Sequence, residues 1–162
     1  MPNWCGNTLD ISGPPEAIAL FMLKWKSMGE EFRFEHFVPA PTGVTDRYQW
    51  NIDNWGTKWD LESPDVSISD TCISLSFSTA WSPPDAFVAA LSRMFPCLAF
   101  RLAFEEAGAD FAGSVLYKDG RIVEQEQGPC PPSEEEDDQE VPTSPKESPW
   151  TTQRQQPSNS TN

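Results

Sequence analysis

Residues 98–105 read Leu-Ala-Phe-Arg-Leu-Ala-Phe-Glu and alternate large apolar side chains with small or charged ones. A period of two places the two sets of side chains on opposite faces of a β-strand. The same alternation occurs in residues 4–12, 66–68 and 73–79. The sequence therefore predicts a sheet with one face buried and the other face in solvent.

Two segments between these strands carry apolar side chains at helical spacing. One face of a helix is formed by apolar residues at i, i+3, i+4 and i+7, which are Ile18, Phe21, Met22 and Trp25. The apolar face of a second segment is formed by Phe87, Leu91, Met94 and Phe95. Each segment begins with a Pro-Pro pair, which a first helical turn tolerates. Two amphipathic helices are therefore expected.

Local signals predict the remaining elements. Ser82 is the expected N-cap of the second helix, with Asp85 three residues later as its capping partner. The phenylalanines of residues 32–37 indicate a strand, and a short helix near residues 48–55 is compatible with the sequence. The Lys-Asp-Gly-Arg turn at residues 118–121 predicts a β-hairpin.

The predicted order of elements indicates an α+β domain. Its simplest arrangement is a ferredoxin-like split βαβ fold, with two helices on one face of an antiparallel sheet and extra strands. All ten Phe and six of the seven Trp precede residue 128. We therefore assign the folded domain to residues 1–127. Residues 128–162 are acidic and rich in proline, a composition typical of a disordered tail.

Charge restricts the classes of partner. The chain has a formal net charge of −14. Residues 1–127 carry 9 Lys/Arg and 18 Asp/Glu, and residues 128–162 carry 2 and 7, so both parts are acidic. Direct binding to nucleic acid requires many Lys and Arg and is therefore disfavoured, as is binding to an anionic membrane. A basic protein partner is favoured.

The cysteines and the N-terminus indicate a reducing compartment. Neither a C-x-x-C pair nor the basic and apolar regions of a signal peptide are present. No apolar run is long enough to span a membrane. We expect a cytoplasmic protein with free thiols at Cys5, Cys72, Cys97 and Cys130.

Four sequence motifs together resemble those of the YubB ferredoxin-like family, whose small members are typically encoded by phages, prophages and conjugative plasmids. The motifs are Met-Pro-Asn-Trp-Cys-Gly-Asn at 1–7, Trp-Gly-Thr-Lys-Trp-Asp at 55–60, Thr-Ala-Trp-Ser-Pro-Pro at 79–84 and Glu-Glu-Ala-Gly-Ala-Asp-Phe-Ala-Gly at 105–113. The resemblance covers residues 1–127. It implies the ferredoxin-like fold and a setting in a mobile element, and it implies no activity.

The segment at residues 55–60, together with Trp81, is the candidate binding site. Its tryptophans would form a stacking surface and Lys58 would hold an anion or a carboxylate, since Trp is frequent in interaction hot spots. The alternative is a long loop that its tryptophans anchor in the core, with Lys58 paired to Asp60. The candidate residues are Trp55, Gly56, Thr57, Lys58, Trp59, Asp60 and Trp81.

No set of residues predicts catalysis, a metal or a cofactor. A dyad of His36 with Cys5 or Cys72 is conceivable, but the spacing does not support it. A zinc site would need four ligands from one His and scattered thiols and carboxylates. Glu105 and Glu106 are adjacent in a predicted strand and should face opposite ways.

Three functions follow from these observations. The leading one is a non-enzymatic protein-binding module. The second is an acidic inhibitor that imitates DNA and occupies a host defence protein. The third is a small enzyme or binder that acts on a nucleotide or another phosphorylated ligand, although the sequence lacks a G-x-x-x-x-G-K-[ST] motif.

Overall fold

The computed structural model describes residues 3–61 and 63–131. Within them the chain forms six strands and four helices. The strands are β1 (Trp4–Ser12), β2 (Asp65–Ile68), β3 (Cys72–Ala80), β4 (Ala99–Glu106), β5 (Phe111–Lys118) and β6 (Arg121–Gly128). The helices are α1 (Pro15–Met28), α2 (Phe34–Phe37), α3 (Arg47–Trp55) and α4 (Asp85–Met94).

The strands form one antiparallel sheet in the order β2-β3-β1-β4-β5-β6. Its first four strands have the arrangement of a split βαβ fold. The connection through α4 joins β3 to β4, and β1 lies between these two strands. Strands β5 and β6 then extend the sheet beyond β4. The ferredoxin-like α+β fold predicted from the sequence is therefore confirmed.

One hydrophobic core lies between the sheet and the helices, and the predicted alternation decides which strand residues enter it. Phe100 and Leu102 of β4 are fully buried, as is Leu9 of β1. Their neighbours Arg101 and Thr8 lie on the opposite face, which stays in contact with solvent. Helix α1 contributes Ile18, Phe21 and Trp25 to the core, three of the four side chains that its spacing predicted, and Met22 is partly buried. On helix α4 the prediction is wrong for Met94, which is exposed.

The predicted strand at residues 32–37 is wrong, because Phe34–Phe37 forms helix α2. Phe34 and Phe37 are three residues apart and are both buried, a spacing that suits a helical turn. The short helix near residues 48–55 is confirmed as α3. Its N-cap is Asp46, whose carboxylate accepts a hydrogen bond from Gln49 N at 3.0 Å.

The predicted N-cap role of Ser82 is also wrong. Helix α4 begins at Asp85, and Pro83 and Pro84 separate it from Ser82. The Ser82 hydroxyl instead donates a hydrogen bond to Gly56 O at 2.6 Å. Ser82 therefore connects the approach to α4 with the end of α3.

Strand β6 ends at Gly128, one residue beyond the predicted domain boundary. Most of the predicted tail, residues 132–162, lies outside the described residues. In the described part of the chain, none of the helices has the length and apolar character needed to cross a membrane.

Candidate functional site

Trp55, the last residue of α3, is a core residue and not part of a binding surface. Only 1% of its surface is exposed. Its indole N–H donates to Val38 O at 2.9 Å, and its ring lies 5.8 Å from that of Phe34 in an edge-on contact. A buried indole with its one donor satisfied stabilises the loop that precedes α3. The structure therefore supports the loop-anchoring alternative for this residue.

Gly56 and Thr57 are structural as well. Gly56 ends α3 in the left-handed conformation (φ = 84°), with its N–H on Ile52 O at 3.0 Å. A Cβ at this position would lie 3.0 Å from Asp85 N, so the backbone approach also requires glycine. Thr57 is fully buried, and its hydroxyl donates to Ala80 O at 3.1 Å.

Asp60 does not pair with Lys58. Its carboxylate accepts hydrogen bonds from three backbone N–H groups: Phe34 at 2.7 Å, Leu61 at 2.8 Å and Glu35 at 3.0 Å. Two of these donors belong to the first turn of α2, where the N–H groups have no partner within the helix. Asp60 therefore caps α2 from 26 residues away in sequence.

Lys58 and Trp59 lie at the surface with Trp81 and Trp4, and we call these four residues the tryptophan–lysine cluster. The Lys58 ammonium lies 4.9 Å from the centre of the Trp59 ring and 5.0 Å from that of Trp81. Trp4 lies beyond Trp59, with 6.4 Å between their ring centroids. The exposed fractions are 57% for Trp4, 50% for Trp59 and 51% for Trp81. The cluster thus combines three half-exposed indoles with one cation.

Lys58 has no ion pair with a carboxylate in the described part of the chain. Its ammonium lies between two indole faces, an arrangement stabilised by cation–π attraction. The described contacts of the cation are therefore aromatic. Trp81 thus contacts the 55–60 segment through this lysine.

Trp81 adopts a left-handed backbone conformation (φ = 73°), which is rare for a residue with a large side chain. Neighbouring hydrogen bonds hold the turn in place. Trp81 N–H donates to Asn3 O at 3.0 Å, and the Thr79 hydroxyl donates to Ser82 O at 2.7 Å. Asn7 Nδ2 in turn donates to the Thr79 hydroxyl at 2.8 Å. Such strain persists only where the surroundings fix it, and it is concentrated at functional sites.

A groove of about 740 Å³ adjoins the cluster. Trp4 and Trp59 line one part of it, and the hydroxyls of Ser76 and Ser78 line another. Asp65 also contributes to the wall. The groove gives the exposed indoles a polar concave surface beside them.

Trp4 was missed as a site residue by the sequence reasoning, although it lies in the first of the four motifs. Its exposure could have been predicted, because successive side chains of a strand face opposite sides of the sheet. Cys5 is buried, so its neighbour Trp4 must face the other side. That Trp4 reaches Trp59 depends on the pairing of β1 with β3, which places Trp4 opposite Ala80.

The conceivable cysteine–histidine dyad does not form. Burial raises the pKa of the Cys5 thiol to about 11, and the Sγ atom lies 3.8 Å from Asn7 Oδ1. Burial and Asp10 also raise the pKa of Cys72. The His36 ring packs against Gly29, at the end of α1. Within residues 3–61 and 63–131, His, Cys, Asp and Glu form no group of three that could hold a metal.

The two adjacent glutamates have different roles, as predicted. Glu105 is exposed, whereas Glu106 is buried and accepts hydrogen bonds from Gly108 N at 2.9 Å and Ala109 N at 2.6 Å. Glu106 therefore stabilises the turn between β4 and β5. The pair does not form a catalytic acid and base.

Comparison with known proteins identifies the family. The sequence profile of the ferredoxin-like domain in Api92-like proteins matches residues 54–144, which is more than half of the chain. The chain belongs to the Api92-like family. The matched region includes Lys58, Trp59 and Trp81 of the cluster, whereas Trp4 precedes it.

A solved structure shows the same fold. The crystal structure of protein api92 from Yersinia pseudotuberculosis matches with a TM-score of 0.64 and 10% sequence identity. The match covers 82% of this chain and 100% of that chain. At this identity the likeness to api92 shows the fold alone. No curated protein matches the chain in sequence.

Proposed function

We propose that this Api92-like protein is a non-enzymatic binding module whose tryptophan–lysine cluster contacts a partner protein. The observation that carries the proposal is the position of Lys58, whose ammonium lies 4.9 and 5.0 Å from two indoles that both remain half exposed. Tryptophans dominate the binding energy of many protein interfaces, and they do so from positions that are exposed in the free protein.

The arrangement of the cluster suits recognition. Neighbouring hydrogen bonds fix the backbone at Trp81, and its indole already packs against the Lys58 ammonium, which lowers the side-chain entropy lost on binding. Lys58 supplies one charge that a partner's carboxylate would neutralise. Apolar contact with the indoles and this single ion pair together give both affinity and orientation.

The resemblance to the YubB family supports a mobile-element setting for the protein. In that setting the expected partner is a protein of the host cell. The high net charge favours a soluble monomer before such a partner is bound.

The test compares capture of proteins by the immobilised wild type and by the Trp59→Ala/Trp81→Ala variant, from a lysate of the cell in which the protein is made. The matched control is Leu20→Ala/Ile122→Ala, which removes two apolar side chains of similar exposure from other surfaces. Each captured protein is then purified and its affinity is measured by calorimetry.

We expect the tryptophan variant to weaken binding by about tenfold or more, because truncation of a hot-spot tryptophan costs about 2 kcal/mol. The control should bind as the wild type does. Lys58→Gln should weaken binding to a smaller extent and reduce its dependence on salt. Equal capture by the wild type and the tryptophan variant would refute the proposal.

A further inference from the structure

Strand β2 forms an open edge of the sheet. The hydrogen bond from Ser69 N to Cys72 O, 2.8 Å long, shows that the polar backbone groups of Ser69 face β3. Because these groups alternate in direction along an antiparallel strand, those of Ser67 and Asp65 also face β3. The N–H and C=O groups of Val66 and Ile68 therefore face away from the sheet. No strand in the described part of the chain pairs with them.

An apolar groove of about 600 Å³ lies beside this edge. Val66 and Ile68 lie opposite the buried Leu75 and Ile73 of β3, so their side chains are on the core side of the sheet. Both are nevertheless exposed, by 41% and 53%. They face α1 across the groove, whose further lining residues are Met22, Trp25, Lys26, Gly29 and Glu30.

Trp25 adds a second observation at the same place. Its side chain is 95% buried and lines the groove, yet its indole N–H has no hydrogen-bond acceptor in the described part of the chain. A buried donor without an acceptor is costly and uncommon in folded proteins. The Trp25 indole therefore forms part of a groove wall whose buried polar group is unsatisfied in the free protein.

The opposite edge of the sheet is protected in a way that β2 is not. Strand β6 carries Glu124 and Glu126 among exposed residues, and its pairing with β5 has an irregularity at Leu116 and Tyr117. Charges and bulges of this kind prevent the pairing of exposed edges. Strand β2 carries the apolar side chains of Val66 and Ile68 and has no bulge in its pairing with β3.

The negative charge of the chain favours a basic segment over a second copy of the chain as the strand that pairs with β2. A second copy of the chain would bring two molecules of net charge −14 together, with Asp65 of each at the junction. A basic segment would instead be attracted, since Asp65 lies on the solvent side of β2 and the chain as a whole is strongly acidic. The groove itself is balanced in charge, because Lys26 and Glu30 both line it, and it suits the apolar side chains of the segment.

We propose that β2 accepts an extended basic segment of a partner protein as a seventh strand of the sheet. The segment forms hydrogen bonds with Val66 and Ile68, and its β-branched side chains enter the groove beside Trp25. Its alternate side chains are Lys or Arg and face the side of Asp65. This mode of recognition is strand addition, in which main-chain bonds give affinity and alternate side chains give specificity.

The experiment selects peptides from a displayed library of random dodecapeptides on the full-length protein. Val66→Pro removes an outward N–H without removing a bond to β3, and proline is tolerated where that group faces solvent. Val66→Thr is the matched control, because it keeps the N–H and the β-branched shape. Ile68→Lys adds an edge charge and leaves the backbone unchanged.

We expect enriched peptides that alternate β-branched with basic residues. Val66→Pro should weaken their binding by up to about tenfold, because it removes one N–H donor of the edge. Ile68→Lys should weaken their binding as well, because its charge repels the basic side chains of the segment. Val66→Thr should bind as the wild type does. Hydrogen exchange of the Val66 and Ile68 amides in the wild type should slow on binding. Trp59→Ala/Trp81→Ala should bind these peptides normally, which separates this site from the cluster.

Two results would overturn the inference. One is a bound peptide that leaves the Val66 and Ile68 amides unprotected. The other is a dimer in light scattering that Val66→Pro converts to a monomer, which would make a second copy the occupant of the edge.

Discussion

Trp55 and Trp59 are four positions apart in sequence, and one is buried whereas the other is exposed. Trp55 is 1% exposed and its indole N–H is bonded to Val38 O, whereas Trp59 is 50% exposed and contacts Lys58 and Trp4. The same contrast separates Asp60, which caps α2, from Lys58, which has aromatic neighbours. One short segment thus has two roles. Trp55 and Asp60 stabilise the fold, and Lys58 and Trp59 lie at the surface.

This contrast shows that an unusual local sequence is not by itself a site. Buried side chains of the segment fix the backbone, and the fixed backbone determines which side chains remain exposed. Four substitution or pH experiments test whether the buried and the exposed residues differ in role as their environments indicate.

The largest expected effect is on stability at Trp55. Trp55→Ala should lower the free energy of unfolding by about 3–5 kcal/mol, because it leaves a cavity and an unpaired Val38 carbonyl. Trp59→Ala should lower it by less than about 1 kcal/mol, the value of an exposed cation–π contact. Chemical denaturation of both variants measures the difference. Similar losses for the two variants would show that Trp59 also has a structural role.

Asp60→Asn should have the next largest effect. The amide keeps one acceptor oxygen and presents an NH₂ group where Glu35 N–H now donates. We expect a loss of roughly 1.5–3 kcal/mol, the range for hydrogen bonds to charged groups. Asp53→Asn is the control, since Asp53 accepts one exposed hydrogen bond from Gln49 within α3. Urea denaturation should show little change for the control.

Substitutions at Trp81 measure the cost of its left-handed backbone conformation. Trp81→Gly should be more stable than Trp81→Ala by about 1 kcal/mol, because glycine adopts the left-handed conformation without a steric cost. Both variants should lose partner binding to the same extent. Equal thermal stability of the two variants would mean that φ at this position relaxes without the indole.

The last experiment concerns pH and the neighbours Cys5 and Trp4. The pKa of Cys5 is raised in the folded state, so its protonated thiol contributes stability at neutral pH that is lost as pH rises from about 9 towards 11. The loss is at most about 1.4 kcal/mol per pH unit for one proton. Cys5→Ala should flatten this decline, and Trp4→Ala should leave it unchanged. Denaturation at pH 8, 9 and 10 measures both slopes.

The fold was largely predictable, and the reason is visible in particular elements. Strand β1 and helix α1 were predicted because their apolar side chains recur at the period of the element. Helix α2 was not, because its four residues rely on the carboxylate of Asp60, 26 residues from Phe34. A cap supplied from a distant segment leaves no local pattern.

The site was predictable only in part. Of the candidate residues in the 55–60 segment, Lys58 and Trp59 lie at the surface and meet Trp81 there. The other residues of the segment have structural roles. The sequence left Trp55 either in a binding surface or in the core. The helical face of α3 gave no clear signal, because Asn51, four residues earlier on that face, is polar and yet buried. Trp4 joins the cluster through strand pairing, which its own sequence does not reveal.

The α+β class, the faces of β1, β3 and β4 and the acidic character of the chain follow from the amino-acid sequence alone, because side-chain period and charge are local properties. Which tryptophans are anchors and which are exposed depends on the three-dimensional fold. The orientation of each indole depends on partners that are distant in sequence: Val38 for Trp55, and Asn3 and Lys58 for Trp81. The open edge at β2 has the same origin, since an edge exists only once the order of the strands is established.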